Sequence, residues 1–249
     1  MKIGIMDSGI GGLTVLKECL HQLPAHEYLY YADSNHAPYG TKSKEEVCTL
    51  TEVAVGYLVE KGADIIIIAC NTATSAAAVQ LREKYDIPIV GMEPAIKPAL
   101  QSANNKRILV AATELTLNQQ KFCDLMAALD VTHQVDGIDL TELVMIAEDG
   151  DFSRSTLIPF LKGKLANFDL ELYGSVVLGC THFPLFRKYF EEIFPVETVI
   201  VDGVVGTVKR VGEFVTFHSQ APSTTFFLSG EPLVCGSFFD LIQSIIEMD

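Results

Sequence analysis

Short runs of apolar, often β-branched residues recur along the chain and alternate with stretches of helical character. Seven of these runs predict strands, at residues 2–6, 28–31, 65–68, 88–90, 107–111, 176–178 and 198–201. A run that is apolar at every position, such as the isoleucines at 65–68, suits a strand covered by helices on both faces. The alternation therefore predicts an α/β fold with mostly parallel sheets.

A weak internal repeat suggests that the fold has two related parts. The sequence Lys-Ile-Gly-Ile at 2–5 is echoed by Arg-Ile-Leu-Val at 107–110, and Ile-Ala-Cys-Asn-Thr at 68–72 by Leu-Gly-Cys-Thr-His at 178–182. The separation of Ser8 from Cys70 is also close to that of Thr113 from Cys180. Two similar α/β units facing each other across a cleft would place both cysteines at that cleft.

The repeat also suggests where the domains divide. We expect residues 1–96 plus 204–249 to form the first α/β domain and residues 97–203 to form the second. The segment after residue 203 is too short for a domain of its own and is expected to return to the first one.

Charge and composition exclude several classes of function. The formal net charge is −14, with Lys+Arg 18 and Asp+Glu 32, and this field repels nucleic acid and anionic lipid. The apolar runs are too short for a signal peptide or a membrane-spanning helix, so we expect a cytoplasmic protein. None of the six cysteines lies in a CxxC pair, which argues against a disulfide framework.

The sequence Asp-Ser-Gly-Ile-Gly-Gly at 7–12 lies between the first predicted strand and a helical stretch. Its glycines would let the backbone approach a ligand and direct amide N–H groups at an anion. A dinucleotide-binding loop is an alternative, since Asp33 resembles the ribose-binding acid of such sites. However, Thr14 stands where the third glycine is required, and Asp7 would repel a pyrophosphate. A plain strand-to-helix turn is a further interpretation.

Two cysteines follow predicted buried strands, which is where open α/β sheets bind ligands. Cys70 is followed by small donors, Asn71, Thr72 and Thr74, at the start of a predicted helix that could hold a carboxylate. Cys180 is followed by Thr181 and His182. A buried cysteine taken alone is more often inert, because it packs as a small hydrophobic group.

His182 distinguishes the second cysteine from the first. A nearby imidazolium lowers the pKa of a thiol from its usual value of about 8.5 and favours the thiolate. A histidine that only caps or packs is an alternative. A metal site made of Cys70, Cys180 and His182 is another, although no fourth ligand is evident.

The coincidence of two such cysteines in two related units indicates a particular reaction. A racemase must remove a proton from one face of a carbon and return a proton to the other face. Two opposed thiols of matched pKa meet that need, because a thiol titrates near working pH. The α-proton of an amino acid is so weakly acidic that the base must also be desolvated and well placed.

The chain resembles the glutamate racemases of the aspartate/glutamate racemase superfamily. The resemblance rests on six motifs in order: Asp-Ser-Gly-Ile-Gly-Gly, Tyr-Tyr-Ala-Asp, Ala-Pro-Tyr-Gly, Ala-Cys-Asn-Thr-Ala, Ile-Pro-Ile-Val-Gly-Met-Glu-Pro-Ala and Leu-Gly-Cys-Thr-His-Phe-Pro. It implies interconversion of L- and D-glutamate without pyridoxal phosphate or metal, supplying D-glutamate for peptidoglycan. It also implies two α/β domains and a homodimer.

The same resemblance implies roles for individual residues. Cys70 would handle the α-proton of the D-enantiomer with help from Asp7, and Cys180 that of the L-enantiomer with help from His182. Further acidic residues of the site would be Asp33 and Glu148. The substrate would be held by Ser8, Pro38, Tyr39, Gly40, Asn71, Thr72, Thr113, Thr116 and Thr181. This set contains no Lys or Arg, so the carboxylates of the substrate would meet neutral donors and helix N-termini.

The chain also departs from the family pattern. Asn118 and Phe122 stand where the family usually has Ser and Tyr, and the sequence Gly-Ile-Asp-Leu at 137–140 replaces the usual Cys-Pro. These departures bear on substrate fit and on Glu148. A racemase of aspartate or of a broader set of acidic amino acids, and a ligand-binding protein without activity, remain alternatives.

Overall fold

The strands of this protein form two sheets, in a computed structural model that describes residues 1–128, 133–216 and 221–247. The first sheet contains β1 (Lys2–Asp7), β2 (Glu27–Ala32), β3 (Ile65–Ile68), β4 (Ile89–Gly91), β9 (Ser223–Leu228) and β10 (Glu231–Leu233). The second contains β5 (Arg107–Ala112), β6 (Val135–Asp139), β7 (Tyr173–Leu178) and β8 (Val199–Asp202).

The strand orders confirm the internal repeat. The first sheet has the order β10-β9-β2-β1-β3-β4, and the second has β6-β5-β7-β8. Within each sheet the shared strands are parallel, so β2-β1-β3-β4 corresponds to β6-β5-β7-β8. Only the hairpin of β9 and β10 adds an antiparallel pair to the described sheets. The predicted class, two similar α/β units with mostly parallel sheets, is confirmed.

Helices cover both faces of the sheets. The helices are α1 (Leu13–Gln22), α2 (Lys44–Glu60), α3 (Asn71–Lys84), α4 (Ile96–Ser102), α5 (Glu114–Asn118), α6 (Gln120–Ala128), α7 (Thr141–Glu148), α8 (Arg154–Leu165), α9 (Arg187–Ile193), α10 (Val204–Gly212) and α11 (Ser237–Glu247). Short 3-10 turns occur at Ser34–His36, Tyr39–Thr41, Leu170–Leu172 and Phe183–Phe186.

Strand β3 shows why its sequence is apolar at every position. Ile65 and Ile67 belong to a core shared with α1 and α10, whereas Ile66 and Ile68 belong to a core shared with α2 and α3. All four side chains are fully buried, because alternate residues of a strand point to opposite faces and both faces are covered. The apolar run therefore fixes β3 inside the molecule and carries Cys70 to its carboxyl end.

Helix α2 is capped at both ends. The Ser43 hydroxyl accepts a hydrogen bond from the Glu46 N–H at 3.1 Å, so the helix begins at Lys44. At the other end the Gly62 N–H donates to the Val59 carbonyl at 2.9 Å, and Gly62 has a φ of +85°. A glycine is favoured there because other residues rarely adopt a positive φ.

The C-terminal segment returns to the first sheet, as predicted, and does so as a strand. Strand β9 pairs in parallel with β2, so that Tyr30 lies opposite Phe226. Strands β6, β9 and β10 were not predicted from the sequence, because each mixes polar and apolar residues and lies at or near a sheet edge. The expected domain boundaries at 96/97 and 203/204 remain a prediction.

Candidate active site

The carboxyl ends of corresponding strands in the two sheets meet at one place. Asp7 ends β1, Cys70 follows β3 and Cys180 follows β7. The sulfur-bearing residues are both buried, with 5% of Cys70 and 8% of Cys180 exposed. Cys180 is close enough to contribute to the raised pKa of Cys70, so the two sulfurs share one electrostatic environment.

Cys70 is the N-cap residue of α3. Its Sγ accepts a hydrogen bond from the Ala73 N–H at 3.4 Å. Burial, and to a smaller extent the charge of Asp7, raise the pKa of Cys70 to about 12, although the donors of Ala73 and Ser8 act in the opposite direction. The thiol is therefore protonated at neutral pH and needs added positive charge or donors to become a base.

Cys180 lies beside a buried histidine that is paired on its other side. The Cys180 Sγ is 3.7 Å from His182 Nδ1, and His182 Nε2 is 2.6 Å from Glu148 Oε1. Burial lowers the pKa of His182, but Cys180 and Glu148 raise it, and the result lies well above the ordinary value. A doubly protonated His182 donates to both partners, which stabilises negative charge on the Cys180 sulfur.

Asp7 connects the two halves of the molecule, which are built on the first and the second sheet. Its Oδ1 accepts from the Gly9 N–H at 3.0 Å, and its Oδ2 accepts from the Thr181 hydroxyl at 3.0 Å. The side chain is fully buried. Burial raises the pKa of Asp7 to about 6, while the charge of His182 and these hydrogen bonds pull it down. Asp7 can therefore change protonation state near pH 6, well above the range of an ordinary aspartate.

Asp33 lies at the end of β2 with two side-chain partners. Its Oδ2 accepts from the Tyr39 hydroxyl at 2.7 Å, and its Oδ1 is 2.9 Å from His36 Nδ1. Tyr39 is buried and belongs to the turn that follows Pro38. This turn approaches the second half closely, because a Cβ at Gly40 would lie 2.7 Å from that of Thr113.

A cluster of hydroxyl groups bridges the halves near Cys70. The Oγ1 atoms of Thr72, Thr113 and Thr116 lie 2.9–3.0 Å from one another. Beside Thr72, Asn71 donates to the Met92 carbonyl at 3.3 Å, but its buried Oδ1 has no partner. A buried acceptor without a donor is costly, so this oxygen is suited to a ligand that carries N–H groups.

The glycine-rich loop at 7–12 binds a carboxylate of the protein's own, that of Glu148. The Ile10 N–H donates to Glu148 Oε1 at 2.7 Å. A Cβ at Gly9 would lie 1.8 Å from the same oxygen, and one at Gly11 would lie 2.5 Å from His182 Nδ1. The glycines therefore allow the side chains of the second half to reach this loop, and Glu148 occupies the place that a pyrophosphate would need.

The structure thus brings the predicted residues together, and it adds two that the sequence analysis missed. Ser34 donates to Glu148 Oε2 at 3.1 Å, and His36 pairs with Asp33. Both lie just beyond the end of β2 and close to Asp33 in the sequence. Of the departures from the family pattern, Asn118 is exposed and Phe122 packs in a core cluster beyond the second sheet.

Two further features of the described part of the chain bear on its class. No group of three or more His, Cys, Asp and Glu side chains among the residues described is placed to hold a metal ion. Within the same residues, no helix combines the length and apolar character needed to cross a bilayer.

Comparison with known proteins places the chain in a family. The family model described as Asp/Glu/Hydantoin racemase matches residues 3–211. A glutamate racemase of Halothermothrix orenii is 49% identical over 93% of this chain and 94% of its own length. Glutamate racemase 2 of Bacillus subtilis is 45% identical over 94% of this chain and 91% of its own length.

Solved structures agree with these sequence relationships. The crystal structure of glutamate racemase from Campylobacter jejuni has a TM-score of 0.83 at 26% identity and covers 98% of this chain and 96% of its own. The Escherichia coli glutamate racemase, solved with L-glutamate and the activator UDP-MurNAc-ala, has a TM-score of 0.82 at 27% identity and covers 99% and 94%. The chain therefore belongs to the Asp/Glu/Hydantoin racemase family, alongside these glutamate racemases.

Proposed function

We propose that this protein interconverts L-glutamate and D-glutamate by proton transfer between two cysteines, and that it supplies D-glutamate for peptidoglycan synthesis. One observation carries the proposal. Cys70 and Cys180 follow corresponding strands of two related sheets, both are buried, and each has its own ionisable neighbour. The named relatives act on glutamate, and the neutral donors around the cysteines suit its two carboxylates.

The proton transfers follow from the two environments. In the L-to-D direction the Cys180 thiolate, balanced by the His182 imidazolium, removes the α-proton. The electron pair passes to the α-carbon and its carboxylate, and the Cys70 thiol then gives its proton to the opposite face. Cys180 is left as a thiol and Cys70 as a thiolate, which is the form required for the reverse direction.

The Cys70 thiolate needs support because the pKa of this thiol is about 12 in the unliganded protein. The ammonium group of a bound amino acid supplies positive charge nearby and lowers that pKa. We assign this ammonium group to the side of Asn71, whose Oδ1 lacks a donor, and of Asp7. Substrate binding would then activate Cys70, so that the thiolate forms only when it is used.

The remaining predicted residues would hold the carboxylates. We assign Ser8, Thr72, Thr113, Thr116 and Thr181 as hydroxyl donors, with the segment Pro38, Tyr39 and Gly40 closing one side. Asp33 would orient Tyr39, and Glu148 would orient His182. Since the hydroxyls of Thr72, Thr113 and Thr116 already bond to one another, a carboxylate has to displace bonds within this cluster.

The test is to incubate the purified protein with L-glutamate in D2O, with a chelator and without pyridoxal phosphate. We expect α-deuterated D-glutamate, and absence of exchange at high protein concentration would refute the proposal. Cys70→Ala and Cys180→Ala should each abolish racemisation. Cys123→Ala and Cys235→Ala, at exposed cysteines, are the matched controls. A Cys70 or Cys180 variant with full activity would exclude the two-thiol scheme.

The preferred length of the substrate side chain is tested separately, by comparing turnover of glutamate with that of aspartate.

We further propose a cytoplasmic homodimer and the domain division 1–96 plus 204–249 and 97–203. Sedimentation of the full chain tests the dimer. Hydrogen exchange of the full chain tests the division, because the amides of one domain are expected to share an opening free energy that differs from that of the other domain.

A further inference from the structure

Glu148 is held by groups from both halves of the molecule. Its Oε1 contacts His182 Nε2 at 2.6 Å and accepts from the Ile10 N–H at 2.7 Å. Its Oε2 accepts from the Ser34 hydroxyl at 3.1 Å. Ile10 and Ser34 follow β1 and β2 of the first sheet, whereas Glu148 ends α7 and His182 follows β7 of the second half.

These contacts form a series of hydrogen-bonded side chains that ends at one of the two sulfurs. It runs from the Ser34 hydroxyl through the Glu148 carboxylate to His182, and from His182 Nδ1 to the Cys180 Sγ at 3.7 Å. The Thr181 hydroxyl lies between His182 and Asp7, because it contacts His182 Nδ1 and donates to Asp7 Oδ2. Without Ser34 the carboxylate keeps its Oε1 contacts but loses the donor that fixes its second oxygen, so its plane is less well defined.

We propose that Ser34 is a positioning residue for proton transfer at Cys180 and not at Cys70. Its hydroxyl fixes the Glu148 carboxylate, which in turn orients the His182 imidazolium beside the Cys180 sulfur. The inference deepens the proposed racemisation and rests on it. It also means that the acid–base group of the second half, formed by Cys180, His182 and Glu148, is complete only when the first half is in contact with it.

The two sulfurs differ in their dependence on this series of hydrogen bonds. The Cys70 thiolate is favoured by the Ala73 N–H and by Ser8, and it is opposed by the charge of Asp7. The contacts of Ser34 instead lead to Cys180. Loss of the Ser34 hydroxyl should therefore slow the proton transfer on the L-face of the substrate and leave the transfer on the D-face unchanged.

Equilibrium restricts how this asymmetry is measured. The two enantiomers have equal free energy, so kcat/KM has to fall equally in both directions. The deuterium kinetic isotope effects measured in the two directions do not have to change equally. With α-deuterated L-glutamate the labelled bond is broken by Cys180, and with α-deuterated D-glutamate it is broken by Cys70.

The experiment compares these two isotope effects on kcat/KM in Ser34→Ala and in the natural protein. We expect kcat to fall about tenfold with little change in KM, as for loss of one hydrogen bond to a charged group outside substrate contact. The isotope effect should rise with L-glutamate and fall with D-glutamate, because the Cys180 step becomes rate-limiting. Glu148→Gln, which keeps the shape and removes the charge, should show the same divergence.

Two controls separate positioning from damage to the turn. Ser34→Thr retains the hydroxyl and should behave as the natural protein. Ser229→Ala removes the acceptor of the Asn35 N–H, at 3.2 Å, and so disturbs the same turn without touching Glu148. It should leave both isotope effects unchanged.

The outcomes are distinct. Divergent isotope effects in Ser34→Ala and Glu148→Gln, with Ser34→Thr and Ser229→Ala unchanged, support the inference. Unchanged isotope effects in Ser34→Ala, at any rate of turnover, overturn it, as does the same divergence in Ser229→Ala. A natural protein that does not racemise glutamate would instead refute the proposed function, before any variant is compared.

Discussion

At the scale of single residues, Asp7 shows how burial sets a charge. Two hydrogen bonds and the charge of His182 favour its carboxylate, yet complete burial outweighs them and raises the pKa of Asp7 from 3.8 to about 6. A carboxyl group whose pKa is raised on folding binds its proton more tightly in the folded state. The native protein therefore loses stability as pH rises from about 4 to about 6.

This gives a prediction for Asp7→Asn, which removes the titrating group. The free energy of unfolding of the variant should increase relative to the natural protein as pH rises from about 4 to about 7, by up to about 3 kcal/mol. Urea denaturation across this range measures the difference. Asp86→Asn, at an exposed aspartate of the same half, is the control. A difference that is constant with pH would show that Asp7 does not titrate as described.

Single residues also mark how far sequence reasoning reaches. Cys70, Cys180 and His182 were identified because each stands at or just after a strand end within a repeated pattern. Ser34 and His36 were missed, since neither repeats and their importance depends on partners far away in sequence or across a turn. Glu148 is 114 residues from Ser34, and local spacing contains no information about such a contact.

At the scale of elements, the loop between β1 and α1 depends on its glycines for space rather than for flexibility. A Cβ at Gly11 would lie 2.5 Å from both His182 Nδ1 and Thr181 Oγ1. Contacts below about 3 Å cannot be relieved without moving these side chains, and both belong to the acid–base group near Cys180. The loop thus sets how closely the two halves approach.

We predict that Gly11→Ala lowers kcat/KM by about a hundredfold or more, because it displaces groups that must be placed within a fraction of an ångström. Gly206→Ala is the matched control. Gly206 lies in α10 with open space where its Cβ would be. That variant should keep full activity and gain about 1 kcal/mol of stability from helix propensity. Steady-state kinetics and thermal melts measure both, and an active Gly11→Ala would contradict the close approach.

Among the elements, the covered parallel strands were the most predictable. Strands β1, β3 and β5 have long apolar runs, and their predicted and observed limits differ by at most one residue. Strand β6 contains Asp136, Gly137 and Asp139, and its pairing with β5 compensates for a sequence that does not suggest a strand. Strand β9 likewise depends on β2, a partner close to two hundred residues away.

At the scale of the whole molecule, the net charge opposes the substrate. The chain carries a formal charge of −14, and glutamate is a net anion at neutral pH. The site itself contains Asp7, Asp33 and Glu148, and the charge of His182 acts on Asp7 and Glu148. Binding therefore relies on neutral donors placed against a repulsive field, and salt should screen that field over a Debye length of about 8 Å at physiological ionic strength.

The resulting prediction is that KM for glutamate falls by about twofold or more as sodium chloride is raised from about 0.01 M to 0.15 M. Initial rates at several glutamate concentrations give the value. Sucrose at matched osmolality controls for effects of the solute that do not depend on its charge. A KM that rises with salt would show that local positive charge, and not the overall field, governs substrate binding.

The order of the strands has a consequence for how the chain is made. The second sheet is drawn from residues 107–202, a continuous stretch, but the first sheet acquires β9 and β10 only from residues 223–233. During translation the second half is complete while the first still lacks its outer strands. The first sheet can therefore be completed only after every strand of the second sheet has been synthesised.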